Sequence, residues 1–94
     1  MNLEQIKNVY FIGIGGIGMS ALARYFRHLG KNVTGYDKTR THLTDELTDD
    51  GIAIHFEERI DLIPGEYLPG NTLVVTTPAV PIDHAEWNWF IERD

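Results

Sequence analysis

Phe11 to Leu22 reads FIGIGGIGMSAL, with four glycines, Gly13, Gly15, Gly16 and Gly18, inside six residues. The apolar run NVYFI leads into it, and a helical-looking segment follows. Gly13, Gly15 and Gly18 fit the pattern G-x-G-x-x-G, in which each glycine has a physical task. Gly13 permits the turn off the strand, Gly15 removes the side chain that would block a pyrophosphate, and Gly18 lets the helix approach the sheet. A helix opening here offers unpaired N–H groups and the positive end of its dipole to an anion. Four glycines exceed what a bare strand-to-helix turn requires.

The elements on either side set the fold class. Asn8–Gly13 is β-branched and aromatic, as in a strand buried on both faces of a parallel sheet. From Ile17 to Leu29 the apolar residues Leu22, Tyr25, Phe26 and Leu29 recur at helical spacing, and Gly30 supplies the stop. Asn32–Asp37 is a second strand. Thr41 is the N-cap of a second helix, with Asp45 and Glu46 in its early turns and Gly51 at its end. Ile52–Phe56 is a short third strand. Two Pro-Gly pairs, Pro64-Gly65 and Pro69-Gly70, reduce the next segment to one helical turn and a loop. Asn71–Thr77 is a fourth strand, and Asp83-His84-Ala85-Glu86 has the spacing of a capping box that opens a last helix. Strands alternating with helices imply parallel strands joined by right-handed crossovers. The expected fold is therefore α/β: a three-layer, Rossmann-like open parallel sheet flanked by helices. The pattern stops on a helix with no strand following, which predicts that these 94 residues are one domain of a longer protein.

Composition narrows the function. A net charge of -6 argues against nucleic-acid binding, which needs a basic footprint. It also means that local backbone groups, not bulk charge, must attract any anion. No cysteine is present, which excludes disulfides and thiolate chemistry. The N-terminus lacks the pattern of a secretory signal, and no apolar run reaches the ~20 residues of a membrane helix. The cytoplasm is the expected location, with no membrane partner.

Asp37 closes the second strand 19 residues after Gly18, where such folds place an acid that accepts from a ribose hydroxyl. Lys38 and Arg40 beside it are within reach of a phosphate, though such residues are usually solvated. Thr76 and Thr77 follow the fourth strand, at the carboxyl edge where open parallel sheets bind ligands, and their hydroxyls suit a phosphate or a sugar. Routine turn chemistry before Pro78 accounts for them equally well. Gly30-Lys31 is followed by Asn32, so there is no Walker A loop and no recognisable site for ATP and Mg²⁺. His28, His42, His55 and His84 show no metal-ligand spacing and read as surface or helix-flank residues. Ser20 lacks a nucleophile elbow and reads as a helix residue or an anion donor. Trp87 and Trp89, two apart, are expected on different sides of the last helix, one packed on the sheet and the other covered by further parts of a longer protein.

At Tyr10–Phe26 the chain resembles the N-terminal domain of the UDP-N-acetylmuramate–L-alanine ligases, a family within the Mur ligases of bacterial cell-wall synthesis. The loop GIGGIGMS (Gly13–Ser20), the GYD of Gly35–Asp37 and the stretch LVVTTPAVPIDHAE (Leu73–Glu86) are similar to that family's motifs, and the likeness extends over essentially all 94 residues. It implies that residues 1–94 are the UDP-substrate-binding domain, not catalytic in isolation, of a three-domain enzyme. Gly15, Gly16, Ile17 and Gly18 would cradle the diphosphate after the turn at Gly13. Asp37 would contact the nucleoside, and Thr76, Thr77 and Ala79 would line the pocket near ribose and phosphate. ATP and Mg²⁺ would belong to a second domain and L-alanine to a third; the muramyl carboxylate would be activated as an acyl phosphate that the amine of alanine attacks. Members of that family often carry a histidine near the position of Glu58, which leaves open whether Glu58 or His55 touches the nucleoside here. A sister family that adds a tripeptide has a different glycine loop.

By residue pattern alone, a nicotinamide-binding domain of an oxidoreductase is the favoured reading, because the loop and Asp37 meet its fingerprint. A nucleotide-sensing module without catalysis is a third reading.

Overall fold

The computed structural model describes residues 4–92. Four parallel strands form one sheet: β1 (Asn8–Ile12), β2 (Asn32–Tyr36), β3 (Ala53–His55) and β4 (Thr72–Val75), in the order β3-β2-β1-β4. Helices α1 (Ile17–His28) and α2 (His42–Asp49) connect the first three strands. A single 3₁₀ turn, Ile60–Leu62, precedes β4, and α3 (Ala85–Glu92) follows it. The three-layer α/β fold expected from the alternation is the fold observed.

β1 decides the layering, because it pairs with β2 on one side and β4 on the other, and all five of its residues are buried. Alternate side chains enter opposite layers. Val9 and Phe11 join Met19, Ala23 and Phe26 of α1 and Leu47 of α2 in one core. Tyr10 and Ile12 join Tyr36, Ile63, Tyr67 and Phe90 in the other. Both faces of the strand must therefore be apolar, which is why its sequence does not alternate.

The register also requires glycine at 35. Gly35 stands opposite Phe11, and a Cβ there would overlap the Phe11 carbonyl oxygen. At the helix ends the sequence signals hold. Gly30 (φ +84°) and Gly51 (φ +92°) stop α1 and α2 in the left-handed region. Thr41 caps α2 by accepting the Thr44 N–H, and the Thr44 hydroxyl accepts the Thr41 N–H in return.

Three expectations are corrected. The buried stripe of α1 is Met19, Ser20, Ala23 and Phe26, while Leu22, Tyr25 and Leu29 lie exposed. Both stripes have helical spacing, and only the one facing β1 finds a partner. Second, Trp87 and Trp89 both pack, half-buried, against the core that contains Phe90, where only one of them was expected on the sheet. Third, Asp83 and Glu86 form no capping box. The helix starts one residue later than that motif requires, and the His84 Nδ1 accepts the Glu86 N–H at 3.2 Å. Glu86 points instead into the interior.

Candidate functional site

The carboxyl ends of the strands enclose a cleft of about 610 Å³, within the ordinary range of small-molecule sites. The turn off β1 builds one wall. Gly13 adopts φ +93°, and the N–H groups of Gly13 and Ile14 both donate to the Tyr36 carbonyl, at 2.8 and 3.0 Å. This tethers the loop to the end of β2. Gly16 is the N-cap of α1 and has no side chain to fill the capping position. The first helical bond runs from the Ser20 N–H to the Gly16 carbonyl at 2.7 Å. The N–H groups of Ile17, Gly18 and Met19 therefore lack acceptors within the helix, and they form the positive end of its dipole.

Asp37 completes the loop. One carboxylate oxygen accepts the Gly15 N–H at 2.7 Å, and the other accepts the Thr39 N–H at 3.0 Å. The same contact explains Gly15. A Cβ there would lie 2.7 Å from Thr44 Cγ2 and 2.9 Å from Asp37 Oδ2, so the position is first a close approach within the chain. Gly18 is exposed, and a Cβ there would meet nothing within 4 Å, so its expected role in helix–sheet packing is not seen. Ala23, fully buried, makes that approach instead.

Of the residues singled out in the sequence, the structure gathers Gly13, Gly15, Gly16, Asp37, Lys38, Glu58, Thr77 and Ala79 around the cleft, whereas His55 is not among the lining residues. Ile17 and Gly18 are not among the residues that line the cleft; they form the first turn of α1 directly after Gly16, and Ile17 is 82% exposed. Thr76 does not line the cleft; its hydroxyl is buried without a hydrogen-bond partner. Thr77 shapes its own loop, its hydroxyl accepting the Ala79 N–H at 3.2 Å and its carbonyl the Val80 N–H at 3.0 Å. Ser20 is buried, and its hydroxyl donates to the Ile17 carbonyl at 3.0 Å, the behaviour of a helix residue. Arg40 turns away to Asp45, at 3.2 Å.

The sequence did not single out Met19, Tyr36, Val80, Pro81 and His84 as lining residues. His84 is buried, contrary to the expected surface position, because α3 folds its first turn over Tyr36. Behind this wall Glu86, fully buried, accepts from the Tyr10 hydroxyl, from His55 Nε2 at 2.8 Å and from the Arg59 N–H at 3.1 Å. That set ties β1, β3, the segment after β3 and α3 together beneath the cleft. Burial, reinforced by the Glu86 carboxylate, raises the Tyr10 hydroxyl well above the ordinary phenol range. No signal in the sequence separates this Glu from a capping residue, since the two occupy the same place in the motif. Among the described residues, no three His, Asp or Glu side chains are grouped to hold a metal ion. No helix among them is long and apolar enough to cross a membrane.

Comparison with known proteins adds three findings. A family model described as Mur ligase family, catalytic domain, matches residues 8–89. The UDP-N-acetylmuramate–L-alanine ligase of Flavobacterium psychrophilum is 70% identical over all 94 residues of the chain, which cover 21% of that protein; the enzyme of that name from Flavobacterium johnsoniae is 67% identical over the same span. The crystal structure of the UDP-N-acetylmuramate-alanine ligase from Thermotoga maritima superposes with a TM-score of 0.74 at 36% identity, covering 85% of this chain and 17% of that one. The chain thus spans about a fifth of the length of the curated relatives it matches.

Proposed function

The chain belongs to the Mur ligase family, and on that premise we propose that its cleft holds the UDP portion of UDP-N-acetylmuramate. The observation that carries this reading is the free first turn of α1, with the N–H groups of Ile17, Gly18 and Met19 beside a loop stripped of side chains at Gly15 and Gly16. A diphosphate bound there exchanges water for fixed amide donors and the helix dipole, and so does not depend on the sign of the whole chain. Lys38 on the cleft wall adds one mobile positive charge. Asp37 is held by Gly15 and Thr39, and each of its oxygens keeps a lone pair for a ribose hydroxyl. Thr77 and Ala79 close the side nearest β4.

In the whole protein this domain would present the muramyl carboxylate for ATP-dependent joining to L-alanine. ATP and Mg²⁺ would be held elsewhere, since the described residues include neither a Walker A loop nor a grouped set of metal ligands. The work of this chain is to bind and orient the nucleotide end, and binding energy gained far from the reacting carboxylate is what holds that group in place for reaction.

A thermal-shift comparison of UDP-N-acetylmuramate, UDP, NAD⁺ and NADP⁺ tests the proposal. A ligand that binds only the folded chain adds about 2.7 kcal/mol of stability at 100 times its dissociation constant. The uridine ligands should raise the melting temperature and the nicotinamide ligands should not. A rise with NAD⁺ and none with UDP would favour an oxidoreductase domain instead.

A further inference from the structure

The glycine loop uses up its own amides. The Gly13 and Ile14 N–H groups donate to the Tyr36 carbonyl, the Gly15 N–H to Asp37 Oδ2 at 2.7 Å and the Gly16 N–H to the Gly13 carbonyl at 3.3 Å. The first amides left over are those of Ile17, Gly18 and Met19, so their direction is set by the path of the loop before them. Two contacts hold that path at Gly15. The hydrogen bond to Asp37 fixes the N–H. A Cβ built on Gly15 would lie 2.7 Å from Thr44 Cγ2, so the threonine methyl bears on the Gly15 Cα. A hydrogen bond alone leaves the peptide free to swing about the N–H direction, and a methyl group packed against the Cα stops the swing.

Thr44 is fully buried in the first turn of α2, and its hydroxyl is already used. That hydroxyl accepts the Thr41 N–H at 2.8 Å and donates to the Thr41 carbonyl at 2.8 Å. A serine could make the same bonds, so the capping box accounts for the hydroxyl and leaves the methyl group unexplained. We infer that Thr44 is a positioning residue for the diphosphate: its methyl group holds Gly15 alongside Asp37 and so aims the three free amides of α1. Thr44 is not among the residues that line the cleft, and it acts from behind the loop. Hydrogen bonds weaken steeply as distance and angle drift, so a loop that sags into the space of a lost methyl group misaims all three donors together. This assignment rests on the diphosphate reading of the loop and names what holds that site in shape.

Calorimetry with pyrophosphate and UDP on the wild-type chain, Thr44→Ser and Thr44→Val tests it, each measured below its melting transition. Thr44→Ser keeps the capping hydroxyl and removes the methyl group. It should weaken pyrophosphate and UDP by the same factor, about fivefold, the scale of one deleted buried methyl group. Its Gly15 amide should also exchange faster with deuterated solvent. Thr44→Val keeps a methyl group at the Cγ2 position and removes the hydroxyl. It should melt earlier than the wild type, because α2 loses its capping box, and yet restore the affinity lost in Thr44→Ser. A role confined to stability predicts instead that affinity follows melting temperature. Wild-type affinity in Thr44→Ser, or a loss in Thr44→Val as large as in Thr44→Ser, overturns the inference while the diphosphate site stands. Should Thr44→Val fail to fold, Thr44→Ser decides through its affinity and its Gly15 exchange, both of which must change. If the wild type binds neither pyrophosphate nor UDP, the cleft reading and this inference fall together.

Discussion

Gly15, Gly18 and Gly35 look alike in the sequence and do different work. Gly35 is required by the backbone of the neighbouring strand, where no side chain can move aside, so Gly35→Ala should destabilise the fold by about 2 kcal/mol, read as a lower urea midpoint at unchanged slope. Gly18 faces open space inside a helix, so Gly18→Ala should be neutral or stabilising by up to about 0.5–1 kcal/mol. A loss at Gly18 comparable to that at Gly35 would contradict this distinction. Gly15 lies between the two cases. Its neighbours are the Thr44 methyl and the Asp37 carboxylate, so a side chain there must first push apart the contact that shapes the loop. The glycine pattern made the loop legible because its spacing follows strand-to-helix geometry. It did not distinguish a glycine cleared for a ligand from one cleared for the chain itself, because both demands leave the same letter.

At the scale of elements, α3 holds the cleft's outer wall through one buried carboxylate. Glu86→Ala would leave the Tyr10 hydroxyl, His55 Nε2 and the Arg59 N–H without their acceptor in the interior. The expected cost is about 3 kcal/mol or more, measured by denaturant unfolding, and Tyr10→Phe, which removes only one donor, should cost about 1 kcal/mol. Glu86→Ala behaving like a surface substitution would refute the role. The same layer sets an alkaline limit. Burial pushes the Tyr67 hydroxyl from 10.0 up to about 12 and raises Tyr10 as well. The folded state therefore keeps protons that the unfolded chain has released. This contribution is complete below pH 10, and it is lost as pH rises from there through 12. Stability should fall across that window, and Tyr67→Phe should flatten the fall; an unchanged slope in that variant would contradict it. The strands and the first two helices were legible because their caps and periodicity are local. The work of α3 was not, because Glu86 meets its partners across 76, 31 and 27 residues of sequence.

The whole molecule brings the glycine loop, Asp37 and the turn after β4 to one edge of a parallel sheet, an arrangement that the alternation of strands and helices foretold. Most of the candidate site was readable for the same reason, since residues at strand ends converge whatever the helices do. Glu58 and His84 complete the wall only because α3 packs back against the segment after β3, a contact that local pattern does not encode. The central claim is that the free amides at the start of α1 bind a diphosphate. The most direct test is a titration of the amide-labelled chain with UDP, followed residue by residue by NMR. The account predicts the largest saturable shifts at Gly16, Ile17, Gly18 and Met19, reproduced by pyrophosphate alone. Saturable shifts elsewhere, with those four amides unmoved, would contradict it.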